Sequence, residues 1–326
     1  MNTEQLISNI KDKLGFQCKY DKKINQLYIY IKPHTELSFN PEMIGNIDQT
    51  NVGAIIQHMH HLDKKSILIT KYINKNLAEK LQNANIEYID FSGNMFINTD
   101  PVYISIKGET PQKSNQLDTN SFTLSVASIK IIFTLLTMKS ALNHNYRDIA
   151  KMSDVALGSV SKTFSILEKY GYITEKTHGE KVLLNKENLL SKWCIGYNEK
   201  LRPKLMIEKF NSDSLEKLKE TNPIDFNFLW GGEIAAAKLT QYLKPKIITL
   251  YAENELPLLQ YKYRLKKNIN GNIELIKKFW NFDTKLYNHN VVPFILIYAD
   301  LLSSSDERNQ EIAEIIYDKF IKEQME

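Results

Sequence analysis

At 326 residues the chain is too long for one simple core, and its 43% hydrophobic and 25% charged residues are those of an ordinary globular protein of two or three domains. Its net charge of +4 is small, so only a local concentration of basic residues could indicate a nucleic-acid partner. Two distant cysteines, an N-terminus unlike a signal peptide and the lack of any run of roughly 18 apolar residues argue against secreted and membrane proteins, so we expect a cytoplasmic protein.

The first third of the chain predicts a compact α/β domain, to which we assign residues 1–117. Alternating apolar residues at Leu27, Ile29 and Ile31 have the period of a half-buried strand. In chain order we predict helices at 3–14, 51–60 and 74–83, and strands at 27–31, 66–70, 86–90, 95–98 and 102–106. Strands interleaved with helices indicate the α/β class. The polar stretch at 109–121 predicts a linker.

Residues 118–186 have the pattern of three helices followed by a β-hairpin. The residues expected to face its core are Val126, Ile129, Phe133 and Leu136 in the first helix, Ile149 and Ala150 in the second, Val155 in the turn, and Val160, Phe164 and Leu167 in the third. Gly171 is expected to end the third helix, and two short strands follow it. This order predicts a winged helix-turn-helix, whose third helix is shaped for the DNA major groove.

Small and basic side chains remain on the outer face of this module. The candidate DNA-binding residues are Tyr146 and Arg147 at the start of the second helix, Ser159, Ser161, Lys162, Ser165 and Lys169 on the third, and Lys176, His178 and Lys181 on the hairpin. Residues 122–184 hold eight Lys and Arg against five acids, so positive charge is concentrated here. Serine and lysine carry little base-specific information, so we expect modest direct readout of double-stranded DNA. The alternative is a module that contacts only protein.

Residues 187–326 predict a second α/β domain, which we expect to bind a partner. The sequence Gly231-Gly232-Glu233 opens a predicted helix at 233–242, and a strand is predicted at 247–251. The last helix is predicted at 305–323, with Ser304 and Glu307 as a capping box. Its predicted buried stripe consists of Ile312, Ile315, Ile316 and Phe320.

Three blocks of sequence together resemble the AbiEi-like antitoxins, a family of transcriptional regulators of bacterial type IV toxin–antitoxin and phage-abortive systems. The blocks are 86–94 with the strand that follows, 146–150 with 157–162, and the set 201–204, 230–236, 298–302 and 306–309. The resemblance implies a DNA-binding repressor of its own operon, with a cognate nucleotidyltransferase-like toxin as a partner of its other domains. We expect two protomers to bind an inverted repeat as a homodimer.

The flanking domains also resemble enzymes that lack their catalytic acids. The N-terminal domain is similar to restriction endonucleases, but Tyr30 replaces the carboxylate that would hold magnesium in the strand reading Tyr30-Ile31-Lys32. The C-terminal domain is similar to a degenerate nucleotidyltransferase, in which Glu253 stands alone where a pair of acids is required. We therefore predict no catalysis, no cofactor and no metal. The alternative is a nuclease or nucleotidyltransferase that the winged helix guides to DNA.

Four further features each have two interpretations. The glycine pair at 231–232 fits a nucleotide-binding turn or a tight strand-to-helix turn. The histidines at 58–61 could share a metal or lie at a solvated helix end. The acids at 300–307 could form a site, or complement a helix dipole and pair with the arginine beside them. Asp90 and Asn94 could line a pocket or build a turn.

Overall fold

The computed structural model describes residues 7, 11, 15–21, 23–31, 35–62, 65–110, 124–176, 180–283, 290–304 and 306–325. The chain forms two compact units, Met1–Thr123 and Leu124–Glu326, and both are mixed α/β. Most of the helix predicted at 3–14 lies outside the described residues. Within the described ranges, no helix combines the length and apolar character that crossing a bilayer requires.

The first unit is built on a seven-stranded sheet whose strands lie side by side in chain order. Its strands are β1 (Gln17–Asp21), β2 (Gln26–Ile31), β3 (Thr35–Met43), β4 (Ser66–Thr70), β5 (Tyr88–Asp90), β6 (Met95–Thr99) and β7 (Val102–Ile106). The helices that the structure describes from end to end in this unit are α1 (Val52–His60) and α2 (Lys75–Asn83). The pairs β3–β4 and β4–β5 are parallel, whereas the other neighbours are antiparallel. The apolar alternation that predicted β2 is confirmed, because Leu27 and Ile29 are fully buried on one face of the sheet.

Two strands of this sheet, β1 and β3, escape prediction from the sequence. A proline inside a strand removes a ladder donor and argues against a central position, yet Pro41 lies in β3. The main-chain N–H groups of Asn40 and Ile44 donate to carbonyls on the β4 side at 2.9 Å. The nitrogen of Pro41 therefore faces the opposite side of the strand. There the pairing of β3 with β2 has already ended at Phe39, so no ladder bond is lost.

The second unit begins with three helices and a hairpin and continues into a five-stranded sheet. The first elements are α3 (Val126–Thr137), α4 (Tyr146–Met152), α5 (Leu157–Lys169), β8 (Ile173–Glu175) and β9 (Lys181–Leu183). The sheet has the order β11-β12-β14-β10-β13, formed by β10 (Met206–Asn211), β11 (Phe228–Gly231), β12 (Ile248–Ala252), β13 (Lys266–Lys267) and β14 (Ile273–Lys277). Strands β12 and β14 pair parallel, and the other neighbours in this sheet pair antiparallel.

Eight helices accompany this sheet in the described residues. They are α6 (Lys186–Gly196), α7 (Arg202–Leu205), α8 (Leu215–Lys219), α9 (Gly232–Thr240), α10 (Pro257–Lys262), α11 (Phe294–Leu302), α12 (Glu307–Ile316) and α13 (Lys322–Met325). Short 3-10 helices span Ala141–Asn143 and Pro223–Phe226, and π-helical turns at Tyr197–Leu201 and Tyr317–Ile321 extend α6 and α12.

The predicted capping box of the last helix is wrong. The helix begins at Glu307, and Asp306 is its N-cap, with a side chain that accepts from Arg308 N at 3.2 Å. Ser304 lies two residues before the cap, and its hydroxyl accepts from the main-chain N–H of Asp306 at 3.1 Å. A carboxylate in this place also meets the positive end of the helix dipole, which favours it over a serine. Within the predicted stripe, Ile312 and Ile316 are buried, whereas Ile315 and Phe320 are half-buried.

The first helix of this unit, α3, packs against the later part of the unit through aromatic side chains. Phe133 of α3 stacks on Trp193 of α6, with ring centroids 5.5 Å apart. Its other neighbours follow β14: Phe279 at 4.8 Å and Trp280 at 5.4 Å. The indole N–H of Trp193 donates to the carbonyl of Ile129 at 2.9 Å, within the buried interior. Phe133 therefore belongs to a core shared by both parts of the unit.

Candidate nucleic-acid interface

The turn between α4 and α5 is fixed by buried hydrogen bonds. Ser153, which ends α4, bonds through its hydroxyl to that of Thr134 on α3 at 2.8 Å. Ser128 on α3 similarly meets Thr163 of α5 at 3.1 Å. Satisfied polar contacts of this kind hold helices at one angle, because slippage would leave a buried hydroxyl unpaired. The relative orientation of α4 and α5 is therefore specified by the core.

Helix α5 turns its predicted apolar residues inward. Val160, Phe164 and Leu167 are buried, as their spacing of four and three residues requires. Its predicted outer residues are exposed at Ser161, Lys162, Ser165 and Lys169, and half-buried at Ser159. The third helix thus presents serine and lysine side chains along the face that the sequence predicts.

The first turns of α4 and α5 line one open groove. Its walls include Tyr146, Arg147, Leu157, Gly158 and Ser161. No side chain caps the start of α5, so the N–H groups of its first turn are not bonded by a side-chain acceptor. A Cβ placed on Gly158 would meet no atom within 4 Å, so its backbone is open to an approaching ligand.

The charges on this surface are unequally neutralised. Asp154 is paired with Lys130 at 2.9 Å, and Glu168 with Lys181 at 3.0 Å. Arg147 and Lys162 form no ion pair with any residue in the described ranges, and both are exposed. One acid of the groove, Asp148, is exposed and bonds only to its neighbour Asn145, so Arg147 and Lys162 exceed the unpaired acid by one charge. Phosphate could take the place of the carboxylate partner that these two cations lack among the described residues.

Lys181 occupies a different environment from the other predicted contacts. Its ammonium donates to Glu168 Oε1 and lies 5.0 Å from the ring centre of Phe164. Burial acts to lower the pKa of Lys181, but its hydrogen bonds to Glu168 and to the hydroxyl of Tyr146 outweigh burial, so the pKa lies above its ordinary value. In this arrangement Lys181 ties the hairpin to α4 and α5.

Of the remaining predicted contacts, Tyr146 is packed into the module, whereas the lysines are loosely paired. Tyr146 is half-buried, and its ring packs on Phe164 with centroids 4.8 Å apart. Lys169 lies over the ring of Tyr170 at 5.8 Å, and Lys176 lies 4.0 Å from Glu180 with both side chains exposed. His178 lies outside the described residues. At these distances Lys169 and Lys176 are only loosely held by their neighbours.

The glycine pair between β11 and α9 sits in a crowded interior. A Cβ on Gly231 would come within 2.6 Å of Tyr251 Cδ2, and one on Gly232 within 2.8 Å of Thr249 Oγ1. Gly232 also has a φ of +49°, in the left-handed region that favours glycine. Glu233 uses both carboxylate oxygens internally, accepting from Lys246 N at 2.6 Å and from Asn309 Nδ2 at 2.9 Å. The tight-turn interpretation accounts for all three residues.

A buried ionic network, which the sequence does not predict, lies next to this turn. Asp300 accepts from Arg202 Nε at 3.0 Å and from the hydroxyl of Tyr251 at 2.8 Å. Arg202 also donates to Glu274 at 2.7 Å, and Lys209 lies 2.8 Å from the other oxygen of Glu274. Burial raises the pKa of Asp300 above its ordinary value, although Arg202 and Tyr251 act to lower it. The network joins α7, α11 and the sheet.

The other candidate sites resolve into structural contacts. Asp90 accepts from the main-chain N–H groups of Ile73, Ser92 and Asn94 at 2.7–2.9 Å, as the turn interpretation expects. The histidines at 58–61 do not share one site. His58 is buried beside Glu42, whereas His60 and His61 bond to the carbonyls of two different residues. Among the described residues, no group of three or more His, Cys, Asp or Glu side chains is placed to hold a metal ion.

Comparison with known families adds to this geometry. Residues 182–322 match the family model described as transcriptional regulator, AbiEi antitoxin, type IV toxin–antitoxin system. The predicted resemblance to the AbiEi antitoxins is confirmed over these residues. The match begins in β9 and covers the five-stranded sheet, whereas α4 and α5 precede it. No curated protein and no solved structure gives a significant match to the chain.

Proposed function

We propose that the protein is a DNA-binding transcriptional regulator of the antitoxin type. In this proposal α3, α4 and α5 with the β8–β9 hairpin act as a winged helix-turn-helix, and α5 enters the major groove of an operator. The observation that carries the proposal is the shared groove at the first turns of α4 and α5, beside two exposed cations, Arg147 and Lys162, without carboxylate partners among the described residues. The AbiEi match in the rest of the unit supports the same role.

We further propose autorepression by a homodimer on an inverted repeat. Serines dominate the outer face of α5, so a single copy would read few base edges, and two copies at fixed spacing would supply the missing specificity. A cognate nucleotidyltransferase-like toxin is the partner that the AbiEi resemblance suggests. The role is regulatory and not catalytic in this proposal, because the glycine pair packs against Tyr251 and Thr249 while Glu253 pairs with Lys278.

The test is binding of the full chain to a labelled duplex from the promoter of its own gene. Replacing Arg147 and Lys162 together with alanine is expected to weaken binding to all duplexes. It should also reduce the slope of log affinity against log salt by about 1.8, since each lost phosphate contact contributes about 0.9. Lys204 and Lys217 of α7 and α8, replaced together with alanine, give a control with the same change of charge.

Unchanged affinity and salt slope in the Arg147→Ala, Lys162→Ala variant would overturn this placement of DNA. Incubation of the wild-type protein with magnesium and labelled DNA or nucleotide tests the enzymatic alternative. Turnover that a chelator abolishes would favour the nuclease or nucleotidyltransferase interpretation.

A further inference from the structure

An open cavity of about 670 Å³ lies in the second unit at the carboxyl end of β12. It is bounded by the 3-10 helix Pro223–Phe226, by the first residues of α10, and by Lys278 after β14. Strands β12 and β14 run parallel, and the carboxyl edge of parallel strands is where α/β sheets commonly bind ligands. The cavity is large enough for several side chains. We name it the acidic groove.

The charge of the acidic groove is opposite to that of the chain as a whole. Three carboxylates line it, those of Asp225, Glu253 and Glu255, against one ammonium, that of Lys278. The ammonium of Lys278 forms an ion pair with Glu253 at 3.3 Å. Asp225 and Glu255 form no ion pair with a described residue, and both are exposed. The groove therefore repels phosphate and attracts cations, so its ligand is not DNA.

An apolar rim surrounds these carboxylates. Ile224 is 65% exposed on one side, and Leu258 and Tyr261 of α10 are 75% and 88% exposed on the other. Leu258 and Tyr261 are three residues apart and share one face of the helix. Ile224 and Leu258 line the groove itself, whereas Tyr261 lies beyond its lining on the same face of α10 as Leu258. A ligand confined to the groove would leave Tyr261 in water, so we expect a larger occupant that covers the groove and this helix face together.

We propose that the acidic groove and its rim dock a segment of a partner protein in which Lys or Arg side chains alternate with aliphatic ones. The cations would enter the groove toward Asp225 and Glu255, and the aliphatic side chains would cover Ile224, Leu258 and Tyr261. This surface is separate from α4 and α5, and the proposal does not depend on DNA binding.

The test uses the full chain and a fluorescent twelve-residue peptide of alternating lysine and leucine, followed by anisotropy. A matched peptide with glutamate in place of lysine is the first control. We expect the lysine peptide to bind and the glutamate peptide to bind at least tenfold more weakly. Two groove variants, Asp225→Asn with Glu255→Gln and Leu258→Ser with Tyr261→Ser, should each weaken the lysine peptide by about tenfold or more.

Matched surface variants outside the groove separate docking from general attraction. Glu311→Gln with Glu323→Gln removes the same charge elsewhere, and Tyr242→Ser with Ile269→Ser removes other exposed apolar side chains. Both should retain wild-type binding of the peptide. Equal binding of the two peptides, or an equal loss in the control variants, would overturn the proposal. Duplex binding measured on the same variants should be unchanged, so failure here is distinguishable from failure of the DNA-binding role.

Discussion

The main-chain N–H of Asn281 donates to the carbonyl of Met152 at 2.8 Å, and its side-chain amide reaches the carbonyl of Lys151 at 3.2 Å. These bonds tie the segment after β14 to the last turn of α4. The same segment begins at Lys278, which lines the acidic groove, and passes through the aromatic cluster around Phe133. The helices that we assign to DNA and the sheet that carries the groove are therefore joined by four consecutive residues, 278–281.

Two tryptophans of the shared aromatic core are expected to respond differently to the same substitution. Trp193→Phe removes the indole donor to Ile129 O and part of a fully buried ring, so it should cost about 1–3 kcal/mol of unfolding free energy. The indole nitrogen of Trp280 is buried without a hydrogen-bond partner in the described structure, so Trp280→Phe removes an unsatisfied donor along with the lost ring area. The loss of unfolding free energy in Trp280→Phe should therefore be smaller than that in Trp193→Phe by at least about 1 kcal/mol. Urea unfolding followed by fluorescence and circular dichroism measures both, and equal losses would contradict the difference.

Gly158 is expected to matter for DNA and not for folding. Alanine there meets no atom within 4 Å and is a better helix former, so Gly158→Ala should leave stability unchanged or raise it by up to about 1 kcal/mol. If the backbone of α5 approaches DNA at this point, the added methyl group should reduce duplex affinity. Gly171→Ala is the contrasting variant, because a φ of +75° makes alanine unfavourable there. A clear loss of stability in the Gly158→Ala variant would contradict this prediction.

Gly231→Ala tests whether the glycine pair serves packing. The new Cβ would overlap the ring of Tyr251, which is fixed by hydrogen bonds to Tyr197 and Asp300, so the ring cannot move freely. We expect a loss of about 1–3 kcal/mol in unfolding free energy. Gly158→Ala is the control for glycine replacement as such. Unchanged stability would remove the tight-turn explanation and return the glycines to consideration as a ligand-binding turn.

Local periodicity and turn residues predict most elements of both units. The spacing of Val160, Phe164 and Leu167 predicts the buried face of α5, and the bounds of β4 and β7 agree residue for residue with prediction. These features depend on neighbours in sequence, which is the range over which such patterns carry information. Strand β3 is not predicted, because Pro41 fits in it only where the pairing with β2 has ended. That pairing depends on the tertiary fold and cannot be deduced from the local sequence.

Long-range contacts are the part that the sequence does not reveal. Arg202 meets Asp300 and Glu274 across separations of 98 and 72 residues, and no spacing rule connects such positions. The acidic groove is similarly assembled from three separate segments, near 225, 255 and 278. The exposed face of α5 could be deduced because one helix fixes it, whereas the pairing of Lys181 with Glu168 depends on how the hairpin folds back.

The ionic network predicts a specific pH dependence of stability. Burial acts to raise the pKa of Glu274, but Arg202 and Lys209 outweigh burial and hold the pKa below its ordinary value of 4.5. The unfolded chain therefore takes up this proton first, so the stabilisation from Glu274 is complete above pH 4.5 and is lost as the pH falls through the folded-state pKa. The contribution of Asp300 to stability changes with pH in the opposite direction. Its pKa is raised, so the cost of burying its charge is relieved in acid.

Glu274→Gln should lower the unfolding free energy at pH 7 by about 1.5–3 kcal/mol. The gap from wild type should narrow below pH 4.5 in urea titrations, with Glu311→Gln as the charge-matched control. A gap that stays constant from pH 7 to pH 3.5 would mean that Glu274 stabilises the fold by packing alone.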